Sequence, residues 1–386
     1  MAFNVQLRPL SQVDARTDAA WSELALRALE RNPFFEPVVV HASAQYMGLD
    51  VALLTVESGG DMLLCLPLIK RTLRWARVPF MAWTGWDPIS APLLDAPHPA
   101  ATLEAAFAHL GRVQGPDFLV LDWVPGDGLV ASALTAVTAG RRPAWLIAQS
   151  EGSRPVLHRR EAGDYTAGTL AGRHRRKQGN RRRNLEKRLG APLELVDESA
   201  SADAIGRLLA MEFRGWKGRI GSAVMCRPDF TTYFRETCAR FAEEGRMQVL
   251  SLQAAGTTLA MKADIRAGDS LFGLRTAYEE AFAEGSPGVE LEIQAINAFH
   301  ASGARYIDSC TNHAKNPLQW LWPDRRPIRR YALSLGGMLG RVASSRLAQA
   351  TEAFLRRPRM RSVAEVGADG ESRQEGCPPP AAARPA

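Results

Sequence analysis

SLFGLRTAYEEAFAEGSPGVELEIQAINAFHASGARYID, residues 270–308, is the stretch that decides the fold. It begins with an apolar run rich in strand-forming residues, and a polar bend over 279–285 follows. The sequence SPG at 286–288 marks a helix start, because serine is a good N-cap and proline fits the first helical position. Gly303 is typical of the residue after a helix end, and a short strand then ends at Asp308. The stretch predicts a strand, a helix and a second strand.

The predicted helix start is a candidate anion site. Little side chain stands in front of its first backbone N–H groups, since the residues there are Gly285, Ser286, Pro287, Gly288 and Val289. Exposed N–H groups and the helix dipole can together hold a phosphate or pyrophosphate. An ordinary capped helix has the same sequence, so both interpretations stay open on these residues alone.

Length and composition predict two folded domains and a tail. The chain has 386 residues, of which 46% are hydrophobic and 23% charged, as expected for a protein that buries a full core. We place the domains at 1–155 and 156–336. Residues 337–386 are predicted to be a C-terminal helix and a disordered tail, because the end of the chain is rich in proline, alanine and charge.

Composition also constrains the compartment and the cofactors. No apolar run approaches the roughly 18 residues of a membrane helix, and the N-terminus lacks an apolar signal region. Five scattered cysteines without a CxxC motif argue for a reducing compartment and against a structural zinc site. We therefore expect a cytoplasmic protein with no transmembrane segment and no metal. The formal charge of +7 indicates an acidic partner.

The order of predicted elements gives the fold class. In the first half, a helix over 12–31 precedes a hairpin over 51–70, and helices then alternate with short strands. In the second half, helices precede three antiparallel strands over 247–275, and the last of these begins the stretch 270–308. We predict an α/β (α+β) protein with mixed, mostly antiparallel sheets flanked by helices. The shared order of elements suggests two related domains.

The segment 164–190 is the most charged part of the chain, with RHRRK at 173–177 and RRRNLEKR at 181–188. Its few apolar positions predict a thin amphipathic helix, or two, with a solvated basic side. Clustered arginines also bind phosphate, so contact of 173–188 with a nucleic acid such as tRNA, with the phosphate of a cofactor or with an anionic surface is the alternative. Nucleic acid is not favoured, because no aromatic residue interleaves the arginines.

The second half resembles the GNAT acyltransferase fold, in which a meander strand leads into a phosphate-binding loop and a helix. Local motifs resemble BioF2-like or CelD-like acetyltransferases, relatives of the FemAB aminoacyltransferases. These motifs are NPFFEP at 32–37, GWKG at 215–218, YEEAFAEGSPG at 278–288, and DSCT at 308–311 with Trp320 after it. The resemblance spans residues 15–335. It implies tandem GNAT-like domains, the second of which retains the acyl-CoA-type site.

The resemblance implies a donor and an acceptor. The usual GNAT loop carries glycines and basic residues, whereas here it is shortened to EGSPG at 284–288. FemAB relatives, which use aminoacyl-tRNA, also lack the full loop. The implied donor is acetyl-CoA or another acyl-CoA, with aminoacyl-tRNA as the alternative. The implied acceptor is a small molecule or saccharide of polysaccharide or cell-envelope biosynthesis. A non-catalytic binding module is the third interpretation.

Acyl transfer to an amine or hydroxyl needs a base and a group that stabilises the oxyanion. Asp308, at the end of a buried-type strand, is the first candidate base, and an Asx-turn cap is its other possible role. His313 lies in the polar loop that follows. It is the second candidate, although a loop histidine is often merely solvated.

Three further residues are candidates for binding. Trp216 and Lys217 end a helix and can stack a substrate ring or hold an anion, so we include both among the catalytic candidates. A buried Trp with a solvated Lys is the plain alternative. Arg275, on the third meander strand, is a candidate phosphate ligand or an outward strand charge.

Overall fold

The computed structural model of the protein describes residues 2–73, 78–83, 88–113, 118–139, 145–160, 172–311 and 316–335. The chain divides into two compact units. The described part of the first unit comprises residues up to 156 together with 310–311 and 324–335. That of the second comprises 157–160, 172–309 and 316–323.

The first unit combines four helices and a mostly antiparallel sheet within the described residues. Its elements are β1 (Asn4–Pro9), α1 (Ala15–Arg27), α2 (Pro37–Met47), β2 (Val51–Ser58), β3 (Asp61–Leu73), β4 (Val78–Ala82), β5 (Leu93–Leu94), α3 (Pro99–Leu110), β6 (Phe118–Pro125), α4 (Leu129–Thr138), β7 (Trp145–His158, up to residue 156) and β13 (Asp324–Ser334). The strand order is β1-β2-β3-β4-β6-β13-β7, and β5 pairs with β3. Only the β4–β6 pair is parallel among these described pairings.

The second unit is built around the decisive stretch of sequence. Its elements are α5 (Gly172–Leu189), β8 (Glu194–Asp197), α6 (Ala204–Arg214), α7 (Trp216–Arg219), α8 (Pro228–Glu243), β9 (Met247–Ala254), β10 (Thr257–Ala267), β11 (Ser270–Tyr278), α9 (Pro287–Ala301), β12 (Tyr306–Asp308) and α10 (Leu318–Leu321). The strand order is β12-β11-β10-β9-β8. β11 and β12 are parallel, whereas the other pairs are antiparallel.

The predicted fold class is confirmed, since mixed and mostly antiparallel strands are flanked by helices. The domain bounds differ from the units at two places, residues 310–311 and β13. β13 falls within the predicted second domain, but it belongs to the first unit because it pairs with β6 on one side and β7 on the other. The predicted helix and tail over 337–386 lie outside the described residues. Of the basic segment 164–190, residues 172–189 form α5.

Each unit contains a parallel strand pair joined through a helix, and the two helices begin alike. α3 follows His98, which has φ 54°, and α9 follows Ser286, which has φ 50°. In both, a proline takes the first helical position, where its missing N–H costs nothing. This repeated geometry supports the prediction of two related domains.

One apolar cluster fixes α5 against α9 in the second unit. Leu185 of α5 packs with Leu291 and Ala295 of α9 and with strand residues such as Leu252 and Leu259. Burying a leucine side chain contributes about 1.5–3 kcal/mol, so this contact holds an otherwise very polar helix. α5 is therefore an amphipathic helix with a narrow apolar side, as predicted.

Candidate functional site

β11 runs well past its pairing with β12. The parallel register joins residues 270–272 to 306–308, while β11 continues to Tyr278. At the point of divergence stands Gly273, where an added Cβ would lie 3.1 Å from the Ser309 carbonyl oxygen. A side chain here would push the two strands apart, so glycine allows the close backbone approach.

A β-bulge in β11 changes which side chains share a face. Ala263 pairs with Arg275 but Asp264 pairs with Gly273, so Leu274 is the extra residue. An extra residue reverses the alternation of side chains along a strand. Phe272 and Arg275 consequently lie on the same face. Asp308 shares that face, because it is directly beside Phe272 in the parallel pair.

The opposite face of β11 is covered by α9. Leu271 packs with Ile296 and Phe299 of that helix. Beyond the bulge, Thr276 Oγ1 lies 3.4 Å from Glu292 Oε1, also on α9. The predicted base Asp308 and the predicted phosphate ligand Arg275 thus face away from the helix whose start is the candidate phosphate site.

The start of α9 has fewer open donors than the sequence predicts. Ser286 stands at the N-cap position, but its backbone is left-handed and its side chain makes no capping hydrogen bond. This geometry follows from the 3-10 turn Glu280–Gly285 that enters the helix. The N–H groups of Val289 and Glu290 both donate to the Ser286 carbonyl, and Pro287 has none. In this first turn, the Gly288 N–H makes none of these backbone hydrogen bonds.

α5 lies across the same helix start. A Cβ added at Gly285 would be 2.9 Å from Leu185 Cδ2, so this glycine makes room for α5. Gln178 Nε2 donates to the buried Glu290 carboxylate at 3.2 Å, and Arg182 Nη1 lies 3.4 Å from it. The side of α5 that docks here is therefore built from specific polar contacts as well as from Leu185.

Much of the remaining surface of α5 is basic and exposed. Arg175, Arg176, Lys177 and Lys187 are exposed, and none of the described residues forms an ion pair or hydrogen bond with their side chains. This agrees with the predicted solvated basic side of 173–188. It also leaves four cations available to an anionic partner.

The GWKG motif fastens α7 to β11. Lys217 Nζ donates to Glu212 Oε1 and to the Thr276 carbonyl, each at 2.9 Å. Burial raises the pKa of the Glu212 carboxyl, but the Lys217 and Arg275 cations and the Val224 N–H outweigh it, so that pKa is lowered overall. Lys217 is thus partnered within the protein and is not a free solvated charge.

Trp216 joins the same motif to the turn before α9. The backbone N–H of Trp216 donates to Glu280 Oε1 at 2.5 Å, and the Arg219 guanidinium donates to the same carboxylate at 2.6 Å. Trp216 is 38% exposed as a residue, so it is partly accessible to solvent. The structure therefore brings Trp216 to the 279–285 turn and Lys217 to β11.

The predicted catalytic residues do not all meet. Asp308 is fully buried beside Phe272, whereas Lys217 binds the strand at Thr276. Phe272 and Thr276 lie opposite Ile265 and Lys262, which are three residues apart on β10, so these points are about 10 Å apart at the usual rise. His313 lies outside the described residues.

A buried charge cluster in the second unit was missed from the sequence. Lys262 Nζ lies 3.0 Å from Glu292 Oε2 and 3.4 Å from Asp264 Oδ2. Burial raises the pKa of Asp264 to about 6, since Lys262 offsets it only in part. The available signal was a Lys and an Asp two residues apart on one face of the apolar strand β10.

The geometry agrees with comparisons to known proteins. Residues 172–316 match the family model described as the acetyltransferase (GNAT) domain. Among curated proteins, no sequence matches the chain. The crystal structure of FemX is similar with a TM-score of 0.55 and 10% identity, covering 85% of this chain and 97% of FemX. A conserved protein of unknown function from Bacteroides thetaiotaomicron has a TM-score of 0.53 and 9% identity, covering 84% and 98%.

Two further findings concern the described residues alone. They include no helix with the length and apolarity that crossing a bilayer requires. They also hold no group of three His, Cys, Asp or Glu side chains placed to bind a metal ion.

The extent of the similarity supports the predicted fold. The FemX similarity covers more of the chain than either unit contains, so it is a similarity of both units. Residues 172–316 are similar in sequence to the acetyltransferase (GNAT) domain, and the chain as a whole has a fold similar to that of FemX.

Proposed function

We propose that the chain is a GNAT-type N- or O-acyltransferase that moves an acyl group from acyl-CoA to an amine or hydroxyl. The observation that carries this proposal is the acetyltransferase (GNAT) match over 172–316, which includes β11, α9 and β12. GNAT domains typically bind acyl-CoA. Acetyl-CoA is the simplest such donor.

The proposed donor site is the start of α9, formed by Gly285, Ser286, Pro287, Gly288 and Val289. The N–H of Gly288 and the positive end of the helix dipole would attract a phosphate of the donor. The compact 3-10 turn and α5 border this place, which agrees with a shortened loop.

Asp308 is the proposed general base. The acceptor nitrogen or oxygen would form the new bond to the acyl carbon, and its proton would pass to Asp308. The carbon–sulfur bond would break, and CoA would leave as the thiolate. His313 is the second candidate base. Lys217 would act by holding β11 through the Thr276 carbonyl, and the partly exposed Trp216 by offering its ring to a substrate.

Calorimetric titration with acetyl-CoA tests the donor site. Gly288→Asp should weaken binding by about tenfold or more, because a carboxylate at the helix start repels phosphate. The matched control Gly288→Asn should bind nearly as wild type, since a Cβ here makes only an ordinary 3.5 Å contact with Tyr278. Asp308→Asn should bind acetyl-CoA normally but transfer roughly 10²–10⁴-fold more slowly.

Two results would contradict the proposal. A folded wild-type protein that does not bind acetyl-CoA would exclude the CoA-dependent function. Equal binding by Gly288→Asp and Gly288→Asn would exclude the helix start as the phosphate site.

The second candidate function is transfer from aminoacyl-tRNA. The four exposed and unpaired cations of α5 favour it, because such cations bind the phosphates of a nucleic acid. Its signature is tRNA binding that weakens steeply as salt rises.

The finer family assignment is also a proposal. The GWKG contacts with β11 and with the 279–285 turn support placing the chain among BioF2-like or CelD-like acetyltransferases. The acceptor would then be a saccharide or other precursor of polysaccharide or cell-envelope biosynthesis. A deletion strain whose envelope polysaccharides keep every acyl group would contradict that role.

A further inference from the structure

Arg275 has an unusual environment for an arginine. Its guanidinium forms no hydrogen bond or ion pair with any described residue, and its Nε is buried without a hydrogen-bond partner. Its contacts are the rings of Phe230 and Phe234 on α8, at 5.8 and 5.9 Å. A buried charged donor without a partner is unfavourable. Such a donor at a half-buried position points to a ligand.

The charges around Arg275 leave one positive charge unbalanced. Lys217 and Glu212 form a pair, in which Glu212 Oε1 accepts from Lys217 and Oε2 accepts from the Val224 N–H. Arg227, which lies 5.9 Å from the Phe230 ring, is paired with Asp229 at 2.7 Å. Among these described residues Arg275 therefore remains as the net cation, and the Asp308 carboxylate lies farther along the same face.

Arg275 is also well placed with respect to the proposed base. The bulge at Leu274 puts Arg275 on the same sheet face as Phe272 and Asp308, and α9 covers the other face. Because Leu274 is the bulge residue, Phe272 and Arg275 lie opposite Ile265 and Ala263, which are two residues apart on β10, so they are about 7 Å apart along the strand. A small molecule can span this distance, with an anion at Arg275 and a nucleophile near Asp308.

We propose that Arg275 binds a carboxylate of the acceptor, so that the acceptor is an amine or hydroxyl compound that also carries a carboxylate. This inference rests on the proposed acyltransferase function. A planar carboxylate matches the guanidinium fork, and its single negative charge balances the single net positive charge here. The face that Arg275 occupies assigns it to the acceptor and not to the donor phosphates.

Fluorine NMR with a matched pair of probes tests the site without a known acceptor. Trifluoroacetate should broaden in the presence of wild-type protein, whereas the uncharged trifluoroacetamide should not. Arg275→Gln should weaken trifluoroacetate binding by about tenfold, since a charged hydrogen-bonding pair is lost. Arg275→Lys should retain part of the binding. Arg240→Gln, which removes an exposed arginine of α8, is the control and should bind as wild type.

The outcomes separate this inference from the proposed function. Equal binding of both probes by wild type, no binding of trifluoroacetate, or unchanged binding by Arg275→Gln would each overturn the carboxylate site. If Arg275→Gln does not fold, the carboxylate site is tested by comparing the binding of the two probes to wild type and to Arg275→Lys. Acetyl-CoA titration of the same samples reports on the donor independently. Arg275→Gln should keep acetyl-CoA affinity, and a parallel loss of both ligands would contradict the assignment to the acceptor.

Discussion

Glu30 shows how one residue can substitute for a missing cap. α4 begins after Gly128 without a side-chain cap of its own, and Glu30 Oε1 accepts the Val130 N–H at 2.9 Å. A Cβ at position 128 would lie 1.8 Å from that oxygen, so glycine is needed for the approach. Burial raises the pKa of Glu30 to about 7, and the Val130 N–H and Arg326 offset it only in part.

This pKa gives a stability prediction with a definite sign. A carboxyl whose folded pKa is raised contributes stability that is present below its ordinary value and is lost as pH rises through the folded pKa. Compared with Glu30→Gln, which does not titrate, wild type should therefore lose stability between about pH 4.5 and 7. The slope should not exceed ~1.4 kcal/mol per pH unit, the value for one proton.

Urea unfolding across this pH range measures the difference between wild type and Glu30→Gln. The matched control is Glu104→Gln on the exposed side of α3, which should show no such trend. A constant difference between wild type and Glu30→Gln would show that Glu30 titrates alike in the folded and unfolded chain.

Individual site residues could be located from the sequence, but their partners could not. Asp308 is at a strand end as predicted, because the signals for that strand are local. Lys217 binds the carbonyl of Thr276, far along the chain, and no local pattern carries that contact. The charge cluster of Lys262, Asp264 and Glu292 was missed for the same reason, since only folding brings the three charges together.

At the scale of elements, α9 was predicted well at both ends. It begins at Pro287 and ends at Ala301, and Gly303 follows with φ 76°, as a C′ glycine should. The left-handed Ser286 and the docking of α5 were not predictable. Both depend on how the 279–285 turn meets α5, which is set by packing and not by the residues of the helix start.

The basic helix α5 gives a prediction that separates the two donors. Arg176→Ala combined with Lys187→Ala removes two exposed, unpaired cations. If tRNA binds here, the slope of log affinity against log salt, between about 50 and 200 mM KCl, should become shallower by roughly 1.5 to 2. The control Arg235→Ala with Arg240→Ala changes the net charge equally on α8, and its slope should stay unchanged.

Filter binding or fluorescence anisotropy with total tRNA provides the measurement. Equal slopes for the two double variants would mean that tRNA responds to overall charge and not to α5. That result, with acetyl-CoA binding intact, would leave acyl-CoA as the donor.

At the scale of the whole molecule, the fold class followed from the order of elements, but the strand connections did not. β13 lies between β6 and β7 of the first unit, although the second unit separates it from them in sequence. Strand pairing over such a distance leaves no mark in local periodicity. The predicted boundary near residue 155 falls inside β7, which runs from Trp145 to His158, and the return of the chain at 324 has no local signal.

Because β13 pairs with β6 and β7, a substitution that disrupts β13 should lower the stability of the first unit. Ala332 is fully buried and pairs with Val120 on β6 and Ala148 on β7. Ala332→Pro removes a central ladder hydrogen bond and leaves a buried acceptor unpaired, so it should destabilise the unit by at least about 1–3 kcal/mol. Hydrogen exchange should show lost protection in β6. The control Asp324→Pro, at the first residue of β13, should preserve it. Equal protection in both variants would contradict a central role for β13.

The late position of β13 has a consequence for synthesis on the ribosome. Domains usually fold in the order in which they emerge, N-terminal first. Here the first unit lacks an inner strand until residue 334 has been made, roughly 10 to 40 s after residue 156 at ~5–20 residues per second. The described part of the second unit ends at residue 323. During this interval the facing edges of β6 and β7 are unpaired in the nascent chain. We therefore expect chaperones to be needed most at this stage.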